Sequence, residues 1–310
     1  MPSTSEIREQ TASELARRGR LAVPALAGGV LYLLSGIMIS STLNGAPTVG
    51  LLQGLAPALA GEANPAVSPR APEVKFISHH ALALIAGSTL AAIAIGALTL
   101  ALLLLADAAR FRRPTMWSGA RPLVLAGGIA LALVSIGHQV VSAIETHNFA
   151  VGHDFSNHAV DNALTKGTAN VITDYLDLLA GLAFAAGMIG VALNALRVGL
   201  IPRWMGILGI FTAILIFVPL GGAQLEVVPA FWMVMMGILY AGRWPNGDPP
   251  AWAAGEARPW PSQARQRGTK GAGAPQPALS TAGADVAPAP ARPASNGSSR
   301  KRRRKRGARR

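Results

Sequence analysis

Ser135, His138, Ser142 and Glu145 follow one another at spacings of three, four and three residues. In a helix that spacing lines up two hydroxyls, an imidazole and a carboxylate along one face. Asn170, Asp174 and Asp177, spaced four and three apart, form a second such face, and His80 stands at the start of another apolar segment, Ala81–Ala106. An imidazole beside carboxylates can pass a proton or hold a small polar ligand. Ionisable groups in apolar runs are costly, so they are the first place to look for function. Imidazoles and carboxylates at these spacings are also ligands for zinc or another divalent ion, with His138, His147, His153 and His158 as the candidates. None of these histidines lies in an HExxH pattern. The competing reading is a hydrogen-bonded structural His138, with Glu145, Asp174 and Asp177 at headgroup depth where charge costs little.

The segments that must position these groups are apolar and long. The 310-residue chain is only 14% charged, where soluble domains sit near about 25%. Six runs carry no charge at all: Leu21–Ser41, Ala81–Ala106, Leu123–Ile144, Leu178–Leu196, Trp204–Leu225 and Val227–Gly242. A bilayer core of about 30 Å needs about 20 apolar residues as a helix, and five of the runs come close to or exceed that. The sixth is shorter and is bounded by Trp232 and Tyr240, residue types that favour the membrane interface. A backbone in lipid must satisfy its own hydrogen bonds, so the runs are helices. The sequence therefore predicts an all-α polytopic bundle of six transmembrane helices within residues 21–244, over about 21–41, 80–106, 122–145, 174–196, 203–222 and 226–242. A polar arm, 1–20, precedes the bundle, and Ser3 with Glu6 gives the arm a helix-start signature.

The loops divide by charge. Arg8, Arg17, Arg18 and Arg20 precede the first run, Arg110, Arg112, Arg113 and Arg121 follow the second, and Arg197 and Arg203 follow the fourth. The alternate loops hold only Arg70, Lys75 and Lys166. A six-helix arrangement puts every basic-rich segment on one side, so the positive-inside rule places both termini in the cytoplasm. The Ala-, Gly- and Arg-rich usage resembles that of high-GC bacteria, so the membrane expected is a bacterial cytoplasmic membrane. All six histidines fall in the outer half or outer loops. A cleaved signal peptide at the first run is the weaker alternative, because the run is longer than a usual signal core.

The net charge of +13 comes almost wholly from residues 242–310, which carry +12. The segment 245–310 is rich in Pro, Ala and Gly and has no long apolar run, so it is expected to be a disordered cytoplasmic tail. It ends in Arg300, Lys301, Arg302, Arg303, Arg304, Lys305, Arg306, Arg309 and Arg310. Such a run is attracted to anionic lipid at about 1 kcal/mol per base near the surface. Contact with RNA or the ribosome is the weaker alternative: no aromatic residue is interleaved to stack on bases.

Gly28, Gly29, Gly36, Gly87, Gly127, Gly128, Ala183 and Gly187 sit inside the runs, and small residues at such positions let helices approach closely in lipid. The stretch Gly199-Leu-Ile-Pro-Arg-Trp-Met-Gly-Ile-Leu-Gly209, with Phe231-Trp232 and Gly242-Arg-Trp-Pro245, resembles the fifth and sixth helices of uncharacterised bacterial integral membrane proteins. That resemblance implies a fold and no activity, and it transfers no site residues. Absence of cysteine excludes disulfides, thiolate chemistry and Cys-ligated metals. No cofactor is expected. The function expected is that of a structural, sensory or accessory membrane component without catalysis. The alternatives are a small transporter or proton- or ion-coupled permease using the outward His80, His138, Glu145, Asp174 and Asp177 cluster, and a membrane enzyme with a metal there.

Overall fold

The computed structural model describes residues 3–61, 66–217, 223–245, 247–258 and 260. The described chain is helical: α1 (Thr4–Leu43), α2 (Leu51–Leu59), α3 (Ala71–His79), α4 (Ala81–Arg112), α5 (Ala120–Val151), α6 (Asn157–Asp161), α7 (Thr168–Val198), α8 (Arg203–Phe217), α9 (Ala223–Tyr240) and α10 (Pro250–Ala254). A π-helical turn, Asn162–Lys166, joins α6 to α7. Extended pairing among the described residues is confined to an isolated bridge between Val67 and Phe155.

Four helices are long and apolar enough to cross a membrane: α1, α4, α5 and the continuous helical segment Asn157–Val198. Their outer faces keep large apolar side chains exposed, among them Val30, Ile37, Ile93, Leu133, Leu179 and, on α8, Phe211. Apolar exposure on this scale marks a surface built for lipid. The shorter α8 and α9 pack with them. Each long helix lies against the next in sequence, α8 bridges α7 to α9, and α9 closes back onto α1. The bundle is thus a ring, with α4 also touching α7 across it.

The helices outrun their apolar segments. At 1.5 Å per residue, the 40 residues of α1 extend about 60 Å, twice the bilayer core. Backbone hydrogen bonding has no reason to stop where apolar side chains do. The arm 1–20 is therefore not a separate element. It is the start of α1, and its Ser3–Glu6 capping box forms as the sequence implies. Pro24 lies inside this continuous helix, not near an end. The predicted fifth segment, 203–222, is described as helix only to Phe217, since 218–222 lie outside the described residues.

Close approach explains the glycines. A Cβ on Gly127 would meet the Phe184 backbone nitrogen at 2.5 Å, and one on Gly187 would meet that of Val124 at 2.6 Å. The two substitutions would clash in opposite directions, so α5 and α7 are held backbone to backbone. Gly28 and Gly29 do the same for α1 against α4 and α9.

Trp232 and Tyr240 correct an expectation. Neither faces the membrane interface; both are buried. The Trp232 indole donates to the Met205 carbonyl at 2.9 Å and the Tyr240 hydroxyl to the Ala101 carbonyl at 2.6 Å. Each large ring brings one polar atom into the bundle, and each finds a backbone acceptor.

The tail boundary is also corrected. Residues 247–258 are ordered against the bundle and carry α10, with Trp252 only 1% exposed. Sequence composition hides this because a single buried tryptophan anchors a segment that is otherwise Pro-, Ala- and Gly-rich. Residues 261–310, including the polybasic run, lie outside the described residues.

Candidate functional site

The ring has two ends. One carries the start of α1, the α4–α5 and α7–α8 turns and α10. The other carries the segments 44–61, 66–80 and 152–167 and is rich in loops. At that end a cleft of about 420 Å³ opens among α1, α4, α5, α7 and α8. Ser135, His138 and Gln139 reach it from α5, Asp174 and Asp177 from α7, and Ser88 from α4, over a floor of Leu131, Gly181 and Phe217.

The helix-face reasoning holds for the centre of the cluster. His138 Nδ1 lies 3.3 Å from Asp174 Oδ1 and 3.4 Å from Thr173 Oγ1. Because α5 and α7 approach through Gly127 and Gly187, side chains on their facing sides meet. With a carboxylate oxygen facing Nδ1, we assign the ring hydrogen to that nitrogen, which leaves Nε2 as the acceptor. No lysine or arginine is among the described lining residues. Two carboxylates and a histidine give the cleft groups that can take up a proton or face a cation.

The structure separates the other predicted members from this centre. His80 sits at the junction of α3 and α4, stacked on Phe76 with ring centroids 4.0 Å apart, its Nδ1 2.9 Å from the Phe76 carbonyl. It does not line the cleft. Glu145 is two turns beyond His138 and also lies outside the lining. Asn170 shares a helical face with Asp174 and Asp177, yet it is buried and donates to the Asn162 and Ala163 carbonyls at 3.2 and 3.1 Å. It secures the π-helical turn. His147, His153 and His158 are exposed, and His158 Nδ1 lies 3.3 Å from Asn162 Nδ2. Among the described residues, no three His, Asp or Glu side chains gather as metal ligands would. The metal reading of His138, His147, His153 and His158 therefore has no geometric basis here.

The loop-rich end has its own small core. Val74, Phe149, Val160 and Ala163 pack together with Phe155, and the Val67–Phe155 bridge ties the first loop to the third. The Ser156 backbone N–H donates to Asp154 at 2.9 Å and holds that carboxyl below the usual carboxylate range. The loops beside the cleft are thus built onto a scaffold of their own.

Two polar features escaped the sequence reading. At the opposite end, Glu14 and Arg112 form an ion pair at 2.8 Å with side chains 2% and 0% exposed. Arg18 nearby holds Asp248 at 2.7 and 3.0 Å and also donates to the Leu239 carbonyl. Glu14 sits in a polar arm and Arg112 in a basic loop, so both look like solvated charges on composition alone. The second feature is Glu226, on the first turn of α9. One of its carboxylate oxygens is buried where Gly36 of α1 has no side chain, with no hydrogen-bond partner among the described residues. Its signal was a single acid dividing two apolar runs.

Gly199 and the residues after it act structurally. Gly199 takes a left-handed φ of +80° and ends α7, with the Leu200 N–H returning to the Ala195 carbonyl at 3.0 Å. Gly209 makes room for the Trp232 indole. This stretch therefore sets the α7–α8 turn and the α8–α9 contact.

No family model matches the chain, and comparison with curated proteins and with solved structures finds no match.

Proposed function

We propose that this is a six-helix protein of a bacterial cytoplasmic membrane, with both termini in the cytoplasm, that binds a small organic cation in its outward cleft as a sensory or accessory component. α8 and α9 are taken as the fifth and sixth spans. They are about 22 and 27 Å long, enough to cross with slight local thinning. The basic-rich segments at the α10 end put that end in the cytoplasm. The polybasic run 300–310 is then a contact for anionic lipid, ahead of nucleic acid. In layout the chain resembles uncharacterised bacterial integral membrane proteins.

The observation that carries the binding reading is the His138–Asp174 pair in a cleft with Asp177 and no lysine or arginine among its described lining residues. The volume suits a small molecule. The interior towards the α10 end favours a binding protein over a conduit. Leu98, Leu105, Phe184 and Met188 fill it and are buried. A proton-coupled permease is the second reading, favoured by the imidazole–carboxylate pair itself, and it requires that packing to open.

Binding is tested with tetramethylammonium and putrescine by calorimetry on the purified chain. At least one amine is expected to bind, and Asp174→Asn to weaken it tenfold or more, as loss of a charged partner costs about 1.5–3 kcal/mol. Asp154→Asn, in the loop, should leave binding unchanged. Equal affinity in the Asp174 and parent proteins would remove the cleft from consideration.

Orientation is tested in intact cells. The chain has no native cysteine. A His158→Cys variant is expected to react with an impermeant maleimide from outside, and Ser118→Cys only after permeabilisation. The reverse pattern would invert the topology.

A further inference from the structure

α2 leaves its leucines uncovered. Leu51, Leu52, Leu55 and Leu59 are 81, 77, 47 and 79% exposed. At 3.6 residues per turn they fall within an arc of about 100°, a continuous stripe, with Gln53 on the other side. Three observations say what covers them. From Asn44 to Gly61 no residue is charged, so a water-soluble partner has no ion pair to form there. Seven residues join the end of α1 to the start of α2, a reach of at most about 25 Å. And the exposed apolar side of α1, through Val23, Val30, Leu34 and Ile37, leads towards this connection, so the stripe lies next to a lipid-facing surface.

We propose that α2 is an in-plane membrane helix, with its leucine stripe sunk at the boundary between headgroups and acyl chains at the loop-rich end. Leu52 and Leu59 form the edge of the stripe that faces away from the protein, while Leu51 and Leu55 at its other edge, with Gly54, border a groove of about 660 Å³ whose facing side carries Arg70, Glu73 and Ile77. In-plane helices usually add basic residues that attract anionic lipid. α2 has none, so apolar area alone holds it, and its docking is indifferent to lipid charge and to salt.

The full chain, with single-cysteine variants Leu52→Cys, Leu59→Cys and Gln53→Cys bearing a nitroxide, is reconstituted in phosphatidylcholine vesicles. At 52 and 59, oxygen is expected to relax the label several-fold more than a water-soluble nickel chelate does. At 53 the order is reversed, as it is at the loop control His153→Cys. Adding phosphatidylglycerol or salt leaves all four values unchanged. Nickel-dominated relaxation at 52 and 59 would overturn the proposal by putting the stripe in water. So would exclusion of both reagents with dipolar broadening at 52, which would show a second copy of the chain covering it.

Discussion

Trp252→Ala is expected to destabilise the bundle by about 3–5 kcal/mol, the usual range for deleting a buried aromatic ring. The indole is 1% exposed and sits where the chain returns to the end of the bundle after α9. Its Nε1 donates to the Leu200 carbonyl at 3.0 Å, and its ring packs edge-on to Tyr240 with centroids 6.2 Å apart. The guanidinium carbons of Arg18 and Arg112 lie 5.3 and 5.5 Å from its centroid. Cation–π contacts of this kind gain strength when desolvated. Truncation therefore removes apolar area and also two cations' partner. Trp252→Phe keeps most of the packing but orphans the Leu200 carbonyl, a cost of about 1–3 kcal/mol. Unfolding in mixed micelles at rising dodecyl sulfate measures both. If Trp252→Ala unfolds at the same dodecyl sulfate fraction as the parent, residues 247–260 are no part of the folded unit.

Glu14→Ala should cost a similar amount, about 3–5 kcal/mol, for a different reason. Arg112 is 0% exposed. Its guanidinium also donates to the Ala108 and Ala251 carbonyls at 2.8 and 2.9 Å, and it is fixed in place by those bonds. Removing Glu14 leaves a buried cation that cannot turn to water. The Glu14 Oε2 to Arg112 Nη2 contact is short but off the hydrogen-bond axis, so charge attraction carries the pair more than bond geometry does. The decisive comparison is the double variant Glu14→Leu with Arg112→Met. Replacing both charges by apolar groups of similar size is expected to recover most of the loss, because the desolvation penalty disappears with the charges. A double variant as unstable as the sum of its singles would mean the two side chains act separately.

The placement of a polar residue is legible in the sequence where a helix face alone decides it, and is not where two elements must meet. Ser135 and His138 share a face, and that face does line the cleft. Asn170 shares a face with Asp174 and Asp177, yet its amide turns to the π-helical turn, because orphan carbonyls there needed a donor. His80 stands at a helix start, as the apolar run after it implies, but a short α3 precedes it and Phe76 takes up its ring. Helical periodicity gives the angle of a side chain about its own axis. It says nothing of which neighbouring helix stands at that angle.

The charge pattern shows the same division. Arg17, Arg18, Arg110 and Arg112 carry equal weight in an orientation argument. In the structure Arg18 and Arg112 are buried against Trp252, while Arg17 is exposed, 3.8 Å from Asp107. Glu226 and the leucine stripe of α2 leave little trace in the pattern of run lengths because each is short, a single acid or nine residues between longer apolar runs.

The sequence by itself determined that the chain is helical, that its long apolar helices suit a membrane, and that its surplus charge belongs to the C-terminal segment. These follow from local quantities: the length of an uncharged run, the spacing of small residues, the position of each base. Only the tertiary structure decided that His138 meets Asp174, that Glu14 neutralises Arg112 and that Trp252 anchors the chain after α9. The first two join residues 36 and 98 positions apart and the Trp252 hydrogen bond to Leu200 spans 52, and all depend on which helices stand side by side and at what height. In an apolar solvent the hydrophobic effect does not choose between helix faces. The choice is left to where glycines permit close approach and where a few polar atoms find partners.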